Sequence, residues 1–399
     1  MADVVKVEGF GERMGKSLGG VVVGFVLFVV AFPVLFWNEG RTVKTRKGLE
    51  EGAKAVVSVK PDKVDAANEK KLVHLNGEAT TDEILTDERF PAVTGKLIRL
   101  TRDREVYNWK EIEEKKEREE VGGKKVTEIT YKYEKAWVEN PIDSGKFRQD
   151  SAEYRRLRPV NPQFAPPCDD ADYTAKKVTI GAFRLPDSLF GSMASEAFEV
   201  KEGPEASPVS TFSWMGMQTT PKLHAGGYYF GADPGTPQVG DVRVKFRAVK
   251  PQAVSILGQQ IGETLGSWAT SQGTDILRLD PGTLSAEQMF AAAQAENTVL
   301  AFILRFVGWL IMFIGLRLIA DPLRMLGAVI PFVGQIIGLG ATIMAFLAAS
   351  ALSLIAVSIA WLFYRPLIGV PMLLAALGLL YYMKTAGAKK IAAQPAPAR

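Results

Sequence analysis

Apolar residues are concentrated in two parts of this chain, 18–37 and 298–382, with a mixed polar segment between them. No other feature constrains the fold as strongly. About 20 apolar residues in helical form match the ~30 Å hydrocarbon core of a bilayer. The hydrophobic share of 47% over 399 residues therefore averages a membrane part and a water-soluble part, and a cytosolic globular protein is excluded. The first run, Leu18 to Trp37, follows Lys16 and closes on an amphipathic Trp suited to the interface. It exceeds the ~7–15-residue core of a signal peptide, and Pro33 to Asn38 offers no small-x-small cleavage site. It reads as an uncleaved anchor.

A second span runs from Val299 to Ala320 with Arg305 and Arg317 near its ends, where both side chains can snorkel to headgroups. The third stretch, Ile330 to Tyr364, is longer than one perpendicular helix needs, and its Gly-rich start is expected to tilt or lie in the interface. Leu367 to Tyr382 forms a fourth span after a tight turn at Arg365-Pro366. The expected division is a cytoplasmic N-terminus 1–17, spans at 18–37, 298–320, 332–364 and 366–382, a domain at 38–297, a cytoplasmic or interfacial connection at 321–331 and a cytoplasmic tail at 383–399. Lys384, Lys389, Lys390 and Arg399 in the tail, with Arg324 in the connection, favour a cytoplasmic location for those segments. The domain is then expected to be extracytoplasmic.

Period-two alternation is the clearest signal in that domain. Val242, Val244, Phe246 and Ala248 point one way while Arg243, Lys245 and Arg247 point the other. Ile129, Tyr131, Tyr133 and Trp137 make a second stripe, and Leu97 to Lys110 reads as extended. The charged stretch Glu111 to Lys125, turning at Gly122-Gly123, makes these two runs a long hairpin whose tip reads first as a solvated end and, functionally, as a docking surface. Leu189 to Phe198 is a short helical candidate, and Arg158 to Pro167 is a Pro-rich boundary. Ser285 with Gln288 forms a capping box for a helix that leads toward the second span. The fold class is α+β, with four membrane helices and a strand-rich domain between the first and second.

Several motifs occur in a fixed order along the chain: Asn38-Glu39-Gly40-Arg41, Leu72-Val73-His74, Val106-Tyr107-Asn108-Trp109, Val239-Gly240-Asp241-Val242-Arg243-Val244, Ser285-Ala286-Glu287 and Trp361-Leu362-Phe363-Tyr364-Arg365-Pro366-Leu367. With this topology they resemble the transmembrane protein 43 family, also called LUMA, over nearly the whole chain. The last motif is the most specific. The resemblance implies a multi-pass protein that self-associates and organises membrane protein complexes. In animals that means the endoplasmic reticulum and inner nuclear membrane, with lamins and emerin as partners. The Ala/Pro-rich tail looks bacterial, in which case the expected location is the inner membrane with a periplasmic domain, and only topology and self-association carry over. No catalytic residues come with the family.

The residues themselves point away from catalysis. One Cys (Cys168) excludes an intramolecular disulfide, and His74 and His224 lack partners at ligand spacing. There is no P-loop, H-E-x-x-H or dinucleotide fingerprint. Asp169, Asp170 and Asp172 lack the spacing of a dedicated Ca²⁺ loop, and a formal charge of +4 gives no nucleic-acid footprint. No catalytic, cofactor or metal site is expected. Glu39 with Arg41 reads first as an interfacial ion pair at a Gly turn, and Arg365 as a snorkelling turn residue. The functional reading makes Glu39, Arg41 and Arg365 membrane-interface or lipid contacts. Gly20-x-x-x-Gly24 and Gly334-x-x-x-Gly338 have the spacing that lets helix backbones approach closely, within the bundle or between copies. The expected function is a self-associating membrane scaffold that meets membrane or envelope protein partners, and the alternative is a lipid-handling or enzymatic protein with a site at the domain–membrane junction.

Overall fold

A computed structural model describes residues 3–163, 166–201, 212–214, 217–327, 329–371 and 374. Its contacts divide the chain into two compact units. The first contains Met1–Lys6, Glu50–Glu117 and Thr127–Ala291. Here Arg99–Glu120 pairs on one side with Lys124–Val138 and on the other with Val242–Val249, and the sheet continues through Gly227–Phe230 to Lys222–His224. A second sheet is built on Leu72–Thr80 against Gln252–Ile261. The alternation at 242–248 is as expected: Val242, Val244, Phe246 and Ala248 are all buried and share a core with Leu100, Val106, Tyr228 and Phe230. Gly122 and Gly123, at φ +85° and +73°, make the hairpin turn that other residues enter with strain.

The same register has a cost. Arg102 pairs with Phe246 and Arg104 with Val244 across the strands, so two guanidiniums fall on the apolar face. Asp87, fully buried, accepts from Arg102 Nη1 at 2.5 Å, and Arg104 Nη2 donates to the Glu139 carbonyl at 3.1 Å. The expected helix at Leu189–Phe198 is absent: a 3-10 turn, Asp187–Ser192, gives way to a strand at Glu196–Ala197 that pairs with Val242–Val249. Gly191 weakens the helix, and an open sheet edge offers the backbone a better set of partners.

His74 lies in the second sheet and is 5% exposed. Nε2 lies 2.9 Å from the Leu284 carbonyl and Nδ1 lies 3.3 Å from the Ser58 hydroxyl, a pair suited to a neutral ring that donates at one nitrogen and accepts at the other. Burial pushes its pKa below the ordinary value of 6.5. The unfolded chain therefore takes up the proton first, and the stability held by neutral His74 is complete above that value and is lost as pH falls through it toward the native one. Denaturation midpoints from pH 8 down to pH 5 are expected to fall more steeply for the native protein than for His74→Gln; parallel curves would contradict this.

The second unit contains Val7–Leu49, Arg118–Val126 and Ala292–Arg399. Three long helices pass through it or lie in it: α1 (Phe10–Ala55), α3 (Ala286–Gly327) and α4 (Pro331–Tyr364), with α2 (Ala152–Leu157) being a short helix of the first unit. All three are long and apolar enough to cross a membrane. The capping box forms as expected, with the Gln288 N–H donating to Ser285 Oγ at 3.2 Å and the Ser285 N–H to Gln288 Oε1 at 2.8 Å. Residues 331–340, expected to tilt or lie flat, belong to the continuous α4. Arg365 leaves the helix before Pro366, where the ring of proline disfavours helical geometry, and residues 366–371 are helical again. The expected fourth span lies mostly outside the described residues, as does the tail 383–399.

The hairpin end departs from the solvated loop expected of it. Glu119 accepts from Arg13 at 2.5 Å and from Arg324 at 3.0 Å, Arg13 also donates to the Gly123 carbonyl at 2.8 Å, and the Gly122 N–H donates to the Val329 carbonyl at 2.9 Å. Arg13 is 6% exposed, and a guanidinium so desolvated requires acceptors of this kind. Residues 118–126 thus contact both Arg13 and Arg324.

Candidate functional site

The motif Asn38-Glu39-Gly40-Arg41 is helical and makes no turn, because α1 runs on to Ala55. Polar side chains fix this extension to α3. Asn38 Nδ2 donates to the Ala301 carbonyl at 3.1 Å, Asn297 Nδ2 to the Thr42 carbonyl at 3.0 Å, and Gln294 Nε2 to the Arg46 carbonyl at 3.0 Å. Gly40 is required by a close approach: a Cβ there would lie 2.7 Å from the Tyr364 ring of α4.

Glu39 is wholly buried, and its partner is Arg305, not Arg41. Arg305 Nε donates to Oε1 at 2.5 Å and Nη2 to Oε2 at 2.9 Å, while the Trp361 indole donates to Oε2 at 2.7 Å. One carboxylate thereby joins α1, α3 and α4. The two parallel Arg bonds have the fork geometry that guanidinium and carboxylate share. Arg305 is expected from its place near a span end to snorkel to headgroups, but its guanidinium pairs with the buried Glu39. Arg305 and Arg365 each place Cζ 5.8 Å from the centre of the Trp361 ring, within cation–π range. Arg41 donates to Asn297 Oδ1 at 3.2 Å and Thr42 Oγ1 at 3.3 Å. Its Nε and that of Arg365 are buried without an acceptor.

Beside this cluster lies an open groove of about 470 Å³, lined by Phe32, Phe36 and Trp37 from α1 and by Ile359 and Tyr364 from α4, among others. Phe36 stands 5.7 Å from Phe363 and 5.3 Å from Tyr364, ring centre to ring centre. The structure thus brings Glu39, Arg365 and Trp361 to one place, with Arg41 within electrostatic reach of the same carboxylate. Arg305 and Trp361 were not expected as partners of Glu39. Trp361 opens the most specific of the sequence motifs, and that was the available signal for it.

The glycine pairs are used inside the bundle. A Cβ on Gly24 would lie 2.6 Å from the Gly315 carbonyl, and one on Gly315 would lie 2.7 Å from the Gly24 carbonyl; Gly20 faces Leu318. Gly334 approaches Gly327 of α3, and Gly338 faces Arg324. Gly24→Leu is therefore expected to cost about 1–3 kcal/mol through forced separation of α1 and α3, read as a lower thermal midpoint of the full chain in detergent. Gly15→Leu, at a position with open space around it, is the control and is expected to change the midpoint little; equal losses would refute the packing argument.

Elsewhere the chemistry is spent locally. Asp170 accepts from the Arg104 N–H, and Asp172 pairs with Arg99. Among the described residues no three His, Cys, Asp or Glu side chains gather as metal ligands. Burial pushes the Cys168 thiol up to about 12, which makes it a poor nucleophile at neutral pH. His224 is exposed, its ring 5.9 Å from that of Tyr229.

Residues 106–366 match the family model described as transmembrane protein 43. The rat protein named transmembrane protein 43 is 32% identical over 372 residues, covering 90% of this chain and 88% of that one. The human protein of that name is 32% identical over 375 residues with the same coverage. A fruit-fly homolog is 29% identical over 363 residues, covering 88% of this chain and 90% of its own. No solved structure matches.

Proposed function

Since the chain belongs to the transmembrane protein 43 family and sits in a membrane through apolar helices, we propose that it is a non-enzymatic, self-associating scaffold that organises membrane protein complexes through its strand-rich domain. The observation that supports this reading is how the helices use their charges. Glu39 with Arg305 and Trp361 ties three helices together near Trp37, and Glu119 with Arg13 and Arg324 ties α1, the hairpin end and α3 to one another. Groups committed to such saturated pairs hold helices in place; a transporter needs charges whose partners exchange. Helices fixed in this way suit a protein that gathers others, and clustered copies raise the effective concentration of weakly bound partners.

The test is purification of the full chain in mild detergent from cells that make it, with measurement of complex mass and identification of what accompanies it. A defined oligomer or a stoichiometric membrane-protein partner is expected. A monomer with no accompanying protein would overturn the scaffold reading.

A further inference from the structure

The cluster at Glu39 holds more positive charge than its carboxylate balances. Arg305 and Trp361 occupy both oxygens of Glu39. Arg41 and Arg365 both lie within electrostatic reach of that carboxylate, yet each keeps a buried Nε with no acceptor. A guanidinium has five donors in a fixed fork and no acceptor; leaving one of its N–H groups dry and unpaired is costly. Both residues are half-buried, so an acceptor of opposite charge from outside the chain can approach each side chain and offset the charge that Glu39 leaves unbalanced.

The groove beside these residues states what else the ligand must carry. Arg365 directly follows Tyr364, and Arg41 stands one helical turn beyond Trp37; both neighbours line the groove. Positive charge therefore sits at one end of a channel whose walls are Phe32, Phe36, Trp37 and Ile359. A small anion would satisfy the arginines and leave the groove unused, and a neutral hydrocarbon would do the reverse. We propose that this end of the bundle is a binding site for an anionic phospholipid, with its phosphate on Arg41 and Arg365 and an acyl chain lying along the groove. Arg365 Cζ lies 5.8 Å from the centre of the Trp361 ring, which fixes the guanidinium at this end of the bundle. Glu39 does not touch the lipid; it neutralises Arg305, so the net charge offered is that of Arg41 and Arg365.

The test is native mass spectrometry of the full chain in mild detergent, with added phosphatidylglycerol or phosphatidylcholine of matched acyl chains. Wild-type protein is expected to retain phosphatidylglycerol on the order of 10-fold better, given what a basic residue contributes near an anionic headgroup. Arg41→Gln/Arg365→Gln should abolish that preference. Ile359→Trp, which fills the groove from a position 46% exposed, should reduce retention of both lipids and leave the charges intact. Equal retention of the two lipids by wild-type protein would overturn the proposal, as would an unchanged preference in a folded double-glutamine variant. If Ile359→Trp retains phosphatidylglycerol fully and millimolar inorganic phosphate displaces it, the site takes free phosphate and the lipid assignment fails. Should the double variant not fold, the wild-type preference and Ile359→Trp still decide. Lipid retention and complex mass are read separately, so this site can fail while the scaffold reading stands.

Discussion

Glu39→Ala is expected to destabilise the helix unit by about 3–5 kcal/mol, the usual consequence of removing one partner of a buried ion pair. Glu39 is fully buried and the Arg305 side chain is 22% exposed, so the orphaned guanidinium has little water to turn to. Trp361 loses its acceptor in the same step. Unfolding of the full chain in detergent, by heat or by a denaturing detergent titration and followed by tryptophan fluorescence, measures the loss. Glu39→Gln keeps an acceptor for the indole and should lose less than Glu39→Ala. Glu39→Leu/Arg305→Met removes both charges and should recover most of the stability, leaving about 1–3 kcal/mol for the unpaired indole N–H. A loss below about 1 kcal/mol for Glu39→Ala would mean that the pair is not what holds the three helices together.

That pair also shows where sequence reading reaches its limit. Glu39 and Arg305 were each visible as charges beside apolar runs, but they are separated by 266 positions. Local spacing assigned each the partner nearest in sequence or in the lipid: Arg41 for one, headgroups for the other. Features set by local periodicity were readable. The strand at Val242–Val249, the Gly122-Gly123 turn, the Ser285–Gln288 box and three apolar helices all appear, because period, turn geometry and length act over a few residues. The end of α1 was not readable. Nothing within residues 38–55 reveals that Ala301, Asn297 and Gln294 will supply partners for one face of a longer helix. Nor does a charged hairpin tip disclose that Arg13 and Arg324 will meet Glu119.

In the strand-rich unit, Asp87→Ala should match Glu39→Ala in size, at about 3–5 kcal/mol, but for a different set of bonds. Asp87 Oδ1 accepts from the Arg102 guanidinium at 2.5 Å and also from the backbone N–H groups of Arg89 at 2.8 Å and Phe90 at 2.9 Å. It both neutralises a charge on the apolar face of the sheet and forms the loop that delivers Phe90, 3% exposed, into the core beside Tyr228 and Phe246. Removing the charge alone separates the two roles. Asp87→Asn keeps an oxygen for the loop and should lose less than alanine. Asp87→Ala/Arg102→Met removes the ion pair entirely, yet the Arg89 and Phe90 N–H groups still lose their acceptor. The rescue that restores the helix cluster should therefore be incomplete here. Urea unfolding followed by near-ultraviolet circular dichroism, which reports the Phe90–Tyr228 packing, measures each step. Full recovery in the double variant would show that the loop bonds contribute nothing and that charge balance is all Asp87 provides.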